Sequence, residues 1–152
     1  MSSLQNRLAR AFFNLPRRHK QAIMVVADLF LLPLAIWAGY AIRLGDWQPH
    51  MEHGKWLLLL APLVSIPIFI VLGLYRAVIR YIGSKALLTV AHGALLSTLA
   101  LVLTVALLHL PGIPRSLIFL YFGLTFLLVG GSRYWVRYYY YYVFKRTRDT
   151  QA

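Results

Sequence analysis

Asp28 interrupts a run of apolar residues that carries no other charge between Lys20 and Arg43. A carboxylate without water around it is costly, so its type and place admit few uses: a proton or ligand site, or one half of a buried pair. It lies eight positions beyond Lys20, and His92 lies seven positions beyond Lys85 in a later apolar run. Counted from those flanking lysines, the two enter from one side to similar depth, which predicts an Asp28–His92 intramembrane pair. Arg133 and Arg76, at the same edge, are the alternative partners for Asp28. Packing specificity and proton or ligand handling both remain open for such a pair.

Other residues invite chemistry with less spacing to support it. Arg76 and Arg80 are four apart, so on one helix they share a face and can clamp a phosphate of a lipid or of a nucleotide-linked sugar. Arg133 joins them as a candidate lipid or phosphate contact, with simple headgroup anchoring the plainer use of all three. His50, Glu52 and His53 imitate a metal cluster, but three ligands within four residues lack the spacing of a closed site, and a solvated loop is expected. The chain has no cysteine, hence no thiolate nucleophile or ligand. Tyr141 and Lys145 match the Tyr-x-x-x-Lys spacing of short-chain dehydrogenases. They sit in a tyrosine run with no dinucleotide fold to place them, so no catalytic, cofactor or metal residue is assigned.

The elements that must position these residues are membrane helices. Of 152 residues, 60% are hydrophobic and 13% charged, and four apolar runs occupy about 22–42, 56–75, 86–110 and 116–135. About 20 residues at 1.5 Å rise cross a hydrocarbon core of about 30 Å, and lipid satisfies no exposed backbone, so runs without alternation must be helices. The expected fold is an all-α membrane protein: a four-transmembrane-helix antiparallel bundle with a short amino-terminal interfacial helix. Residues 1–20 form that amphipathic, basic segment, with Leu4, Leu8, Phe12 and Leu15 on one face and Pro16 ending it. Residues 21–137 hold the four helices, and residues 138–152 form an aromatic and basic tail. The first run reads as retained rather than as a removed signal peptide. Pro33, Pro62 and Pro67 predict kinks, and Ala35, Gly39, Gly93, Ser97, Gly130 and Gly131 are positions where helices can approach closely.

A net charge of +12 in a soluble protein would suggest nucleic acid, but here its placement reports orientation. Arg7, Arg10, Arg17, Arg18 and Lys20 precede the first run. Arg76, Arg80 and Lys85 lie between the second and third, and Arg133, Arg137, Lys145, Arg146 and Arg148 close the fourth. Only Arg43, Lys55 and Arg115 fall on the other side, so the positive-inside rule places both termini in the cytoplasm. Basic residues split among three juxtamembrane segments make no nucleic-acid surface.

The polar punctuation between the runs resembles a known family. Arg18-His19-Lys20 through Ala27-Asp28, then Leu32-Pro33-Leu34-Ala35 and Ala41-Ile42-Arg43-Leu44-Gly45-Asp46-Trp47, is similar to the opening of bacterial membrane-bound nucleotide-sugar 4,6-dehydratases. Leu72-Gly73-Leu74-Tyr75-Arg76 with Ala77-Val78-Ile79-Arg80-Tyr81, and Ile113-Pro114-Arg115-Ser116 with Gly130-Gly131-Ser132-Arg133, resemble its next membrane segments. The likeness spans roughly residues 17–137. It implies a membrane anchor and assembly domain in surface polysaccharide or O-antigen biosynthesis, in the bacterial inner membrane, whose catalytic portion binds NAD(P) and dehydrates a UDP-sugar such as UDP-N-acetylglucosamine. No glycine-rich fingerprint or βαβ alternation follows residue 135, so this chain is expected to be a truncated or separately encoded membrane portion, without enzyme activity or cofactor of its own. Membrane lipids are the expected partners, with polyprenyl-linked glycans and a homo-oligomer also compatible. A small carrier or flippase subunit for polyprenyl-linked sugars, and the membrane domain of a polyprenyl-phosphate sugar-phosphate transferase, are the alternatives.

Overall fold

Long apolar segments with no period-two pattern satisfy their own backbone as helices, and four form here: α1 (Arg17–Leu44), α2 (Lys55–Val71), α3 (Ser84–Leu107) and α4 (Arg115–Asp149). They are seen in a computed structural model that describes residues 16–50, 54–76 and 84–149. The expected interfacial helix, the Arg80 half of the phosphate clamp, and Glu52 and His53 lie outside the described residues.

The helix ends follow local chemistry. Pro16 stands immediately before α1, its fixed φ suited to a helix start, so the helix takes in Arg17 to Lys20 instead of beginning near residue 22. Gly45 at φ 67° ends α1, its N–H donating to the Ala41 carbonyl, in the left-handed conformation that glycine adopts without penalty. The second segment does not run unbroken to residue 75. Leu72 and Gly73 form a turn with Gly73 at φ 67°, and one helical turn resumes at residues 74–76. Two internal prolines, Pro62 and Pro67, each remove a backbone donor from α2 before that break. At the far end, α4 continues for 35 residues, past the end of the apolar run near residue 135 and through the tyrosine run.

Helix α1 packs on α2 and α4, and α3 packs on α2 and α4, giving a closed ring in chain order. The contacts show neighbours to be antiparallel. Early α1 meets late α4 through Asp28 and Arg133, and late α1 meets early α4 at Gly39 and Leu117. Late α2 likewise meets early α3, where Gly93 faces Phe69 and Leu74. Each helix buries a row of residues four apart: Asp28, Leu32, Ile36 and Tyr40; Leu57, Ala61, Ser65 and Phe69; Val90, Ala94 and Thr98; Leu117, Tyr121, Thr125, Val129 and Arg133. Such rows are the ridges that interdigitate in the commonest class of helix packing.

The bundle sets a few buried polar side chains in an apolar core and is apolar outside. Asp28, Ser65, Ser97, Thr98, Thr125 and Arg133 are buried, while Phe30 is 72% and Phe119 77% exposed, with leucines of all four helices, such as Leu34, Leu59, Leu95 and Leu127, beside them. Water does not tolerate so much contiguous apolar surface, whereas hydrocarbon does. Helices α1, α3 and α4 are long and apolar enough to cross a membrane, and α2, with 17 residues, is shorter.

Two glycines test the packing. A Cβ on Gly93 would lie 3.1 Å from a Leu74 methyl and 3.4 Å from the Phe69 ring, whereas one on Gly131 would meet nothing within 4 Å. Gly93→Leu is expected to destabilise the bundle by ~1–3 kcal/mol through overpacking. Gly131→Ala is expected to be stabilising by ~1 kcal/mol or less, from helix propensity alone. Unfolding in detergent micelles, followed by tryptophan fluorescence, separates the two.

Candidate functional site

Charge converges at one end of the ring. Asp28 comes from the buried row of α1, Arg133 from the last buried position of the α4 row, and Tyr75 from the turn that follows Gly73. Arg133 Nη2 donates to Asp28 Oδ2 at 2.8 Å, and the Tyr75 hydroxyl donates to the same oxygen at 2.8 Å. The Arg133 guanidinium also lies over the Tyr75 ring, 5.1 Å from its centroid, and 5.8 Å from that of Phe69. Aromatic faces attract a cation most where water is excluded. One carboxylate oxygen thus gathers α1, α4 and the end of α2.

A second polar layer lies deeper. Ser65 of α2 and Ser97 of α3 are hydrogen-bonded through their hydroxyls, and the Tyr121 hydroxyl of α4 sits 3.1 Å from Ser65 Oγ. Thr98 and Thr104 are instead turned to their own helix, donating to the Ala94 and Ala100 carbonyls. Among the described residues, the buried side-chain atoms without a hydrogen-bond partner are Thr125 Oγ1 and Arg133 Nη1. Towards the opposite end, Arg43 of α1 donates to the Ser116 hydroxyl at the start of α4. A cavity of about 120 Å³ lies between these levels, lined mainly by aliphatic side chains including Ile36, Leu57, Leu101 and Leu117.

The sequence-derived candidates divide accordingly. Asp28 meets Arg133 and not His92. His92 is exposed on the outer face of α3, its Nδ1 held 2.8 Å from the Leu88 carbonyl. Equal depth along two helices does not give a shared face, and the face decides. Arg133 is 5% exposed, so it is a buried partner of Asp28 rather than a lipid or phosphate contact. Arg76 is exposed at the same end of the bundle as Tyr75. Its clamp partner Arg80 lies outside the described residues. Tyr141 and Lys145 are both exposed on the outer stretch of α4. Among the described residues, no three acidic, histidine or cysteine side chains gather as a metal site.

Sequence reasoning missed Tyr75 and Tyr121. Tyr75 enters the sequence reading only as the end of an apolar run and within the Leu72-Gly73-Leu74-Tyr75-Arg76 motif, and Tyr121 is not singled out, yet each places a hydroxyl on a buried polar atom of another helix. A tyrosine at the end of a broken helix, beside a glycine able to turn the chain inward, is the signal that marks Tyr75.

No protein-family model matches the chain, and no curated protein and no solved structure is significantly similar to it.

Proposed function

We propose that this chain crosses a bilayer four times, with both termini cytoplasmic. In this reading it serves as a membrane anchor and assembly domain, like that of nucleotide-sugar 4,6-dehydratases in bacterial surface polysaccharide biosynthesis, without catalysis of its own. The observation that carries the scaffold half of this reading is how the interior polar groups are used. Asp28, Arg133 and Tyr75 bind one another across three elements, and Ser65, Ser97 and Tyr121 do so across three helices. Groups committed to one another hold helices in register, the use for which buried polar pairs are best attested. A carrier would need them along a path for its cargo. The sugar-nucleotide half of the reading rests on the resemblance of the loop and cap residues, from Arg18-His19-Lys20 to Gly130-Gly131-Ser132-Arg133.

Orientation follows from charge. Arg18, Lys20, Arg76, Lys85, Arg137 and Lys145 lie towards the end of the ring that holds the ion pair, and Arg43, Lys55 and Arg115 towards the other. The 17 residues of α2 span about 25 Å, and the turn at residues 74–76 extends its reach towards the cytoplasmic face. With 35 residues and a length of about 52 Å, α4 outreaches the hydrocarbon core and carries Tyr138 to Lys145 into the cytoplasm, where an attached soluble domain would begin.

The test is a fusion of a soluble fluorescent reporter after Ala152, combined with calorimetry on the purified chain. The reporter is expected to stay with membranes through an alkaline carbonate wash, and the chain to show no saturable heat with UDP-N-acetylglucosamine or NAD. Release of the reporter by carbonate would overturn the anchor. Saturable binding of either nucleotide to this chain alone would overturn the view that it carries no active site.

A further inference from the structure

Beside the break in α2, the outer face of α3 carries a groove of about 430 Å³ lined by Leu72, Lys85, Leu88, Thr89, His92 and Leu96. Lys85, Leu88, Thr89, His92 and Leu96 follow three- and four-residue spacing, so they form one outward stripe running from the charged end of α3 into its apolar middle. The stripe is ordered: a primary amine in the first turn, an imidazole two turns further in, and leucines between and beyond. Lys85 and His92 are both exposed, and neither is drawn into the Asp28–Arg133–Tyr75 cluster.

The local hydrogen bonds fix what the stripe offers. The Thr89 hydroxyl donates to the Lys85 carbonyl, so it presents lone pairs rather than a proton. A carbonyl only accepts, so the His92 Nδ1 that faces the Leu88 carbonyl carries the hydrogen, and Nε2 is the nitrogen left to reach outward. In its protonated form that nitrogen donates to an acceptor about two turns below the Lys85 level. The amino-terminal end of α3, where Lys85 sits, adds the positive end of a helix dipole to the same spot.

We propose that this groove seats one anionic glycerophospholipid of the cytoplasmic leaflet, with its phosphate at Lys85, its ester region at His92 and an acyl chain against Leu88, Leu96 and Leu72. The proposal rests on the bilayer reading above. Charge and order select the occupant. A phosphate, then ester oxygens, then a hydrocarbon chain follow one another along a glycerophospholipid as the amine, the imidazole and the leucines follow one another along α3. A zwitterionic lipid brings no net charge to Lys85, and a polyprenyl phosphate brings no acceptor to the level of His92. A lipid held in this notch leans on both α2 and α3 at the point where α2 is broken.

Native mass spectrometry of the intact chain, released from detergent with added phosphatidylglycerol, phosphatidylcholine or undecaprenyl phosphate, tests the assignment. One phosphatidylglycerol is expected to be retained in preference to phosphatidylcholine. Lys85→Gln is expected to weaken it roughly fivefold, and Lys85→Gln with His92→Gln roughly tenfold or more. Lys145→Gln, which removes an exposed charge elsewhere, should leave it unchanged. Equal retention of both phospholipids, or indifference to the Lys85 and His92 substitutions, would overturn the seat. Preference for undecaprenyl phosphate would overturn the choice of occupant. Carbonate extraction of the membranes from which each protein is purified reports separately on membrane insertion, so failure of the seat is distinguishable from failure of the bilayer reading.

Discussion

Asp28→Ala is expected to destabilise the bundle by ~3–5 kcal/mol. The substitution leaves the Arg133 guanidinium buried with no counter-charge, because its Nη2 has Asp28 Oδ2 as partner and its Nη1 has none. It also strands the Tyr75 hydroxyl, which donates to the same oxygen at 2.8 Å. Tyr75→Phe keeps the ring beneath the guanidinium and removes only that hydrogen bond, for which ~1.5–3 kcal/mol is expected. Replacing both ions, as Asp28→Leu with Arg133→Met, should recover most of what Asp28→Ala loses, since apolar side chains of similar volume avoid the unpaired charge altogether. Thermal or denaturant unfolding of the four proteins in the same micelle checks this. A double variant as unstable as Asp28→Ala would mean that the pair does more than hold helices together.

Tyr121→Ala is expected to cost ~3–5 kcal/mol, comparable in size but different in origin. Tyr121 is the largest of the fully buried side chains and stands in the middle of the α4 row, against the Ser65–Ser97 layer and beside the cavity of about 120 Å³. Truncation joins the vacated ring volume to that cavity, and the lost contacts have no lipid substitute. Tyr121→Phe removes only the hydroxyl. Hydrogen bonds between membrane helices average ~0.6 kcal/mol, so a loss of about 1 kcal/mol or less is expected. Ser65 and Ser97 keep each other as partners in that variant, which is why packing rather than hydrogen bonding should dominate here. Unfolding of the two variants measures both contributions. Equal losses for Tyr121→Phe and Tyr121→Ala would place the stability in the hydroxyl layer instead.

Apolar run length located all four helices and placed the starts of α2, α3 and α4 within two residues of those observed, because hydropathy is a property of each segment alone. Their ends were less legible. The α2 break depends on Gly73 taking a left-handed conformation that hydropathy does not register, and α4 continues past residue 137 because nothing in the tyrosine run stops a helix. Asp28 was legible as the one acidic residue of the apolar runs, and Arg133 stood among the alternatives for its partner, but the favoured partner was His92. Depth counting placed His92 and Asp28 level, yet the buried α3 positions Val90, Gly93, Ala94, Ser97, Thr98 and Leu101 lie about half a turn round the helix from His92. The small residues Gly93 and Ser97 already marked that inner face, so His92 on the opposite face was predictable from them. Arg133 fell on the inner face because it continues the row of Tyr121, Thr125 and Val129, where its position among interfacial aromatics had suggested a headgroup contact.

Because the chain contains no cysteine, single introduced cysteines report topology without background. Asp46→Cys, Arg76→Cys, Pro111→Cys and Lys145→Cys place one thiol on each described connection and on the outer part of α4, all at exposed positions. Labelling of intact cells or sealed right-side-out vesicles with a membrane-impermeant maleimide is expected to modify the thiols at 46 and 111 directly, and those at 76 and 145 only after the membrane is opened. Direct labelling at 76 together with 46 would mean that the short α2 does not cross, and would contradict the four-crossing anchor.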